Sequence, residues 1–343
     1  MRHRRLGDTG LLVSELCLGT NTFGGGGSEI WRTFGALEQP QVDAVVGRAL
    51  EGGINFLDTA DVYAAGESEL RVGQAMRNLR LDRADIVIAT KAGGRTGQGI
   101  NRAGASRAHL TRALDDSLRR LQTDYVDLFM VHYFDPATPL HETLRALDDL
   151  VSVGKVRYIG CSNFTAWQIM KANGIAAREG FMRFEAVEAN WSVATRGVER
   201  EIAPMAADQK IGVMVWGALV GGLLSGKYRR DGAGAGQGRA GGEPPPVIDR
   251  EMLFDVVEAL TRIGAEKKAS AAQVALAWLL HKPVVTSVLF GARTPEQVTE
   301  NLGAADILLS DEEIEALDEL GALTPDYGPW LVRGSSNARL PYA

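Results

Sequence analysis

The sequence predicts an α/β fold, a (β/α)8 TIM barrel with an N-terminal β-hairpin and a C-terminal tail, on three observations. Eight short β-rich runs recur along the chain, longer stretches of helical periodicity separate them, and polar residues end several of the runs. The runs are ELCLGT (15–20), NFLD (55–58), DIVIAT (85–90), VDLFMVH (126–132), VRYIGCS (156–162), EAVEAN (185–190), GVMVW (212–216) and SVLFG (287–291). Strands alternating with helices imply a parallel sheet covered by helices, and eight strands are the number that closes it. The rival is an open doubly wound sheet. It is disfavoured because no G-x-G-x-x-G turn follows an early run, and the glycines at 24–27 open into WRTFG, which does not read as a helix.

The remaining elements follow in chain order. Residues 1–16 carry a turn signal at Asp8 to Gly10 between short extended pieces, which reads as a hairpin over the bottom of the barrel. Between 106 and 121, Leu110, Leu114, Leu118 and Leu121 share one helical face behind a Ser106 cap, and Leu140, Leu144, Leu147 and Val151 repeat the pattern over 140–153. The segment 217–249 is rich in Gly and Pro and reads as a mobile loop over the barrel rather than a linker. Ser310 and Glu313 form a capping box for a last helix, and the stretch from there to 343 ends without periodicity.

Composition bounds the function. The 343 residues suit one barrel domain spanning 1–343, although length alone leaves two domains open. A formal charge of -6, with Lys and Arg dispersed, argues against a nucleic-acid surface or a polybasic membrane anchor. Cys17 and Cys161 lie inside apolar runs, so neither a disulfide framework nor a thiolate metal site is expected. The N-terminus holds no signal-peptide core and no transmembrane run, and a cytoplasmic location is expected by default.

Chemistry concentrates where the runs end. Asp58 closes NFLD, Lys91 follows DIVIAT, His132 closes VDLFMVH, and Tyr63 lies in the loop just past Asp58, so a barrel aims all of them into its C-terminal mouth. Taken singly, each has a bland reading: a turn acid, a surface cation, a loop aromatic, a satisfied histidine. Together they suit carbonyl reduction, which needs a proton for the developing alkoxide. A phenol is a weak acid near neutrality, and Lys91 supplies a cation to lower its pKa, with Asp58 holding the lysine and His132 orienting the carbonyl oxygen.

GGINFLDTADVYAAGESE, the ATK at 89–91, the VH at 131–132 and GKVRYIGCSNF are similar to successive signatures of the aldo-keto reductase superfamily, and the resemblance runs from about Arg5 to Ala305. It implies an oxidoreductase in which Tyr63 is the general acid, Asp58, Lys91 and His132 complete a tetrad, and hydride passes from the nicotinamide C4 of NADPH, or of NADH, to an aldehyde or ketone. It also implies a cofactor site. Ser162 and Asn163 would hold the carboxamide, with Glu188 and Trp191 at the nicotinamide and Gly19, Thr20, Asn21, Asp58 and Trp216 also binding the cofactor. Gly217, Ala218, Leu219, Gly222, Leu224 and Lys227 would approach the pyrophosphate, and Gly291, Arg293, Gln297, Glu300 and Asn301 the adenosine phosphate, Arg293 pairing with a 2'-phosphate. Without the resemblance, TPEQVTEN is a capped helix start and the glycine-rich stretch a flexible loop.

The chain departs from that pattern in places. Glu188 stands where relatives commonly have Gln, Trp191 where many have a Tyr that stacks on the nicotinamide, Gly217 and Ala218 where Ser and Pro are usual, and Gly291 where a lysine often sits. An ionised Glu188 would favour the positively charged oxidised nicotinamide; paired with a base such as Arg196, or protonated, it would not. The expected substrate pocket comprises Phe23, Trp31, Tyr63, His132, Tyr133, Phe134 and Trp330, aromatics that equally suit packing. The expected partner is a small carbonyl compound, with no nucleic acid, membrane or metal. The resemblance allows a second role, as a cofactor-binding regulatory subunit of a membrane channel with slow or no turnover.

Overall fold

A computed structural model describes residues 1–25, 27, 29–232, 248–324 and 328. Ten strands form among them: β1 (His3–Arg5), β2 (Leu12–Ser14), β3 (Leu16–Gly19), β4 (Phe56–Asp58), β5 (Val87–Ala92), β6 (Val126–Val131), β7 (Val156–Ser162), β8 (Phe184–Asn190), β9 (Gly212–Trp216) and β10 (Val285–Phe290). Strands β3 to β10 pair in parallel, each with its neighbour in sequence, and β10 closes on β3. The expected (β/α)8 barrel is therefore the fold. Helices α1 (Glu29–Phe34), α2 (Gln39–Glu51), α3 (Glu67–Asn78), α4 (Arg107–Leu121), α5 (Leu140–Ser152), α6 (Ala166–Glu179), α7 (Ile202–Gln209), α8 (Arg250–Lys267), α9 (Ala271–Leu280), α10 (Pro295–Leu302) and α11 (Asp311–Leu320) lie between and after the strands. None is long and apolar enough to cross a membrane.

Two apolar layers account for the closure. Side chains on the outward faces of the strands meet the helices in one large cluster, including Leu57, Ile88, Phe129, Ile159, Val213 and Trp278. The alternate, inward side chains, among them Cys17, Phe56, Val87, Leu128, Met130 and Met214, fill the barrel as a second cluster. The β1–β2 hairpin closes the floor of that interior. Its Leu6 and Val13 join the inner cluster, and the Arg4 guanidinium donates to the Leu280 carbonyl at 2.7 Å and to the Val285 carbonyl.

The expected helix starts are present: Ser106 Oγ accepts from the His109 N–H, Thr294 from the Gln297 N–H, and Ser310 and Glu313 close their capping box. Two details differ from the sequence reading. A short helix, α1, follows the glycines at 24–27, and its Trp31 and Phe34 rings pack at 5.1 Å one turn apart. The DIVIAT strand extends through Lys91 to Ala92, because Lys91 meets carboxylates inside the barrel and gains nothing by turning out to solvent. Of the loop at 217–249, residues 233–247 lie outside the described residues, as does most of the chain beyond Thr324, Trp330 included.

Candidate active site

The mouth is organised around one buried ammonium. Lys91 points inward from β5 and its Nζ lies 2.6 Å from Asp58 Oδ2 and 3.3 Å from Glu188 Oε2, and it donates to the Thr59 carbonyl at 3.1 Å and the Tyr63 hydroxyl at 3.3 Å. Asp58 ends β4 and Glu188 lies on β8, so the ammonium spans the barrel interior between non-adjacent strands. Burial opposes the charge on Lys91, but Asp58 and Glu188 outweigh it and hold the lysine pKa well above its ordinary value. Lys91 is a permanent cation across the working range of a protein.

An ammonium offers only donors, so the Tyr63 oxygen accepts from Lys91 and its own O–H is left to donate elsewhere. Tyr63 is partly exposed, while Asp58, Lys91 and Glu188 are buried. Here the expectation of a lowered phenol pKa is corrected. Burial raises the Tyr63 pKa, Lys91 lowers it, and Asp58 and Glu188 raise it again, leaving it above the ordinary value. Tyr63 is thus a protonated phenol that yields its proton only to a stronger base, as a developing alkoxide is.

His132 follows β6 directly, with its N–H on the Ala92 carbonyl at 2.8 Å. Its ring meets the Tyr63 ring edge-on at 5.9 Å and stacks on Tyr133 at 4.3 Å. Burial first, then the nearby Lys91 charge, push its pKa down to about 3, so the imidazole is neutral near pH 7. It can polarise a carbonyl by hydrogen bonding but holds no extra proton to give, which separates its role from that of Tyr63.

The residues expected to hold a cofactor divide by accessibility. Ser162 ends β7, and its Oγ accepts from Asn163 Nδ2 at 3.0 Å; the same Nδ2 donates to the His132 carbonyl at 3.1 Å. Trp216, at the end of β9, is 39% exposed, and Gly217 beyond it is left-handed, its missing Cβ site only 2.2 Å from Asn190 Nδ2. Val220 and Gly222 continue the left-handed backbone through a 3-10 turn, with Lys227 exposed after it. Arg293 is exposed and donates to the Thr33 carbonyl at 2.9 Å, while Gln297 Oε1 caps the Arg293 N–H. Gly291 and Glu300 are exposed too, and Gly19 and Asn21 lie partly open at the end of β3, Asn21 Oδ1 beside Gly291.

Other expected contacts are turned away. Trp191 is only 2% exposed, its indole N–H bonds Glu199 at 2.8 Å, and its ring packs edge-on against Trp278 of α9. Trp216, not Trp191, is the indole at the mouth. Thr20 is buried and spends its hydroxyl on the Asp58 carbonyl and Ser68. Ala218, Leu224 and Asn301 are buried, Leu219 partly so. Phe23 is wholly buried in the outer core and is not a pocket surface, and Phe134 packs on Phe164 and Trp167. Trp31 lies 6.2 Å from the Tyr63 ring, and Tyr133 is 50% exposed, so these two frame the mouth. Glu188 does not meet Arg196, which pairs with Glu199 and Asp318 instead. Its contact with Lys91 escaped the sequence reading, since nothing in linear spacing joins β5 to β8.

Comparison with known proteins places the whole barrel in a family. The family model described as "Aldo/keto reductase family" matches residues 15–322. The chain is 34% identical to an uncharacterized oxidoreductase, YrpG, of Bacillus subtilis (strain 168), over 96% of this chain and 100% of that protein. It is equally 34% identical to norsolorinic acid reductase B of Aspergillus parasiticus, over 99% and 89%, and to a probable voltage-gated potassium channel subunit beta of Oryza sativa subsp. japonica, over 93% and 96%. With a barrel closed around Lys91, a phenol and a neutral imidazole at its mouth, and a match across most of its length, this chain belongs to the aldo/keto reductase family.

Proposed function

We propose that this protein reduces an aldehyde or ketone to the alcohol with NADPH, Tyr63 giving the proton. The observation that carries this reading is that, of the groups clustered on Lys91, Tyr63 is the partly exposed one and its hydroxyl proton is not taken by Lys91. His132 is too weak a base to hold a proton near pH 7, and Asp58 and Glu188 are sealed behind the lysine.

Residues around the mouth fit a nicotinamide dinucleotide. The half-open Trp216 ring offers a stacking face, and the exposed Asn163 amide, braced on the buried Ser162 hydroxyl, offers a polar group just past β7. The left-handed turn from Gly217 to Gly222 exposes backbone that can approach a pyrophosphate, and Arg293 offers a charged fork to a 2'-phosphate. When bound, the reduced cofactor supplies the hydride. This chain's own residues then hold the carbonyl oxygen between the Tyr63 hydroxyl and the His132 ring, and Tyr63 releases its proton to that oxygen as charge develops there. Lys91, donating to the phenol oxygen, stabilises the phenolate left behind. The mouth framed by Trp31, Tyr133 and Trp216 suits a flat or hydrophobic carbonyl compound, in keeping with relatives named as norsolorinic acid and versiconal hemiacetal acetate reductases.

A second reading, a cofactor-binding channel subunit with slow turnover, is supported by the relatives named as potassium channel beta subunits. A panel of aldehydes and ketones, followed by cofactor absorbance with NADPH and with NADH, tests both. Turnover of an aromatic carbonyl with NADPH is expected; tight cofactor binding without turnover of any member would favour the second reading. In the same assay Arg293→Ala should weaken NADPH by about 1.5–3 kcal/mol and leave NADH nearly unchanged. Equal losses for both would remove Arg293 from the phosphate.

A further inference from the structure

The buried cluster has one carboxyl more than Lys91 can neutralise. Asp58 and Glu188 both reach the ammonium, at 2.6 and 3.3 Å, and all three side chains are shut from solvent. With both acids ionised the barrel interior would carry an uncompensated negative charge, which a dry core resists strongly. Holding one proton between the two carboxyls removes it. Asp58 Oδ1 and Glu188 Oε2 both lack a hydrogen-bond partner, but Asp58 has the shorter contact with Lys91 and so keeps the charge, and Glu188, farther from the ammonium, takes the proton.

The surroundings of Glu188 leave it little else to answer to. Its register neighbours on β7 and β9 are Ser162 and Met214, neither of which titrates in this range, and its carbonyl accepts from the Asn163 N–H at 3.1 Å. From β3 comes the Cys17 thiol, held neutral by burial, from β4 Asp58, from the loop beyond it Tyr63, and from β5 Lys91. Among the described residues facing it, Lys91 is the cation and Asp58 the acid that matters.

We infer that Glu188 is a positioning residue carrying a removable proton: with it the Asp58–Lys91–Glu188 cluster is neutral, without it singly negative, and this charge step sets which redox state of the nicotinamide the mouth prefers. The second half rests on the cofactor reading proposed above. Burial first, and then the Asp58 charge, push the Glu188 carboxyl up to about 8. Below that value the cluster sums to zero. Above it, the added negative charge attracts an oxidised, cationic nicotinamide and is indifferent to the reduced, neutral one. The same charge makes Tyr63 a weaker acid, since an ionised Glu188 raises the phenol pKa. Both effects turn the site away from carbonyl reduction as the pH rises. A glutamine at this position has the same size and no such step.

Two measurements on the full-length protein test this. Infrared difference spectra of cofactor-free protein, at about pH 6 and about pH 9.5, should show the native chain losing one more protonated-carboxyl band than Glu188→Gln loses. Asp61, whose carboxyl is also pushed up to about 8, supplies the band common to both. Identical difference spectra would overturn the proposal. In the second measurement, quenching of tryptophan fluorescence gives Kd for NADP+ and NADPH at the same two pH values. The preference for NADP+ should rise by on the order of tenfold in the native protein and stay flat in Glu188→Gln. A parallel rise in both proteins would overturn the link to cofactor choice. If neither cofactor binds the native protein at either pH, the function proposed above fails, and the infrared result still decides whether Glu188 holds the proton.

Discussion

The floor and the mouth of the barrel treat buried charge in opposite ways. Near the floor, Asp127 accepts from Arg83 at 2.6 Å and from the Ile88 N–H at 2.9 Å, and Arg83 also donates to Thr123 Oγ1 and to the Tyr125 and Ile86 carbonyls. Glu15 is likewise held by Arg2 and Arg4. At the mouth, Asp58, Asp61, His109, His132 and Glu188 each keep at least one buried polar atom without a hydrogen-bond partner. The buried side-chain atoms that lack partners among the described residues therefore all sit at strand C-termini or in the elements just beyond them. Floor polar groups are satisfied and hold the fold; mouth groups are left wanting, and that is the condition in which they bind and move protons.

Three changes sharpen or break this contrast. The largest effect on turnover is expected for Tyr63→Phe, which removes the proton donor and keeps the ring: turnover should fall at least about 100-fold, with cofactor affinity and melting temperature nearly unchanged. Near-native steady-state rates would remove Tyr63 from the chemistry. Next comes Asp61→Asn. Neither Asp61 oxygen has a hydrogen-bond partner, and burial, then the Glu69 charge, push its carboxyl up to about 8 against an ordinary 3.8. A raised folded pKa gives stability that is present at low pH and lost as the pH climbs from about 4 to about 8. The asparagine variant cannot ionise, so its folding equilibrium should gain on the native one by up to about tenfold per pH unit across that window. Denaturation midpoints moving in parallel from pH 5 to pH 8 would show Asp61 to be as settled as the floor carboxylates. The smallest effect is expected at the floor itself. Asp127→Ala strands Arg83 and the Ile88 N–H and should cost about 2–3 kcal/mol by urea denaturation while leaving turnover intact. Loss of turnover in a folded variant would break the division between the two ends.

Much of this contrast was legible in the sequence, and the reasons are specific. Strand count and order followed from apolar runs, because a strand buried on both faces shows itself as a continuous one. Asp58, Lys91 and His132 were found because a polar residue closing such a run has only the mouth to point into. What escaped were directions and pairings across the barrel. Trp191 and Trp216 lie at neighbouring strand ends, but Trp191 continues the outward-facing row of Val187 and Ala189 and packs on Trp278, whereas Trp216 continues the inward-facing row of Met214 and stays open. Sequence proximity points Glu188 to Arg196, whereas its partner lies on β5. The Lys91 cation is legible in the sequence and alone would lower the phenol pKa; the burial and the acids across the barrel, which outweigh it, are not.

The hairpin makes the barrel a flask with one neck. Gly7, left-handed with φ of 59°, presses against the floor so closely that a Cβ would stand 2.3 Å from the Glu185 carbonyl oxygen, and Leu6 and Val13 stop the interior above it with hydrocarbon. Among the described residues the floor is closed by that stopper, and the side open to a proton leaving or reaching Glu188 is the neck, past Lys91 and Tyr63. Whatever fills the neck also corks the flask, so the charge the cluster holds at the moment of filling is the charge it keeps until the neck opens again.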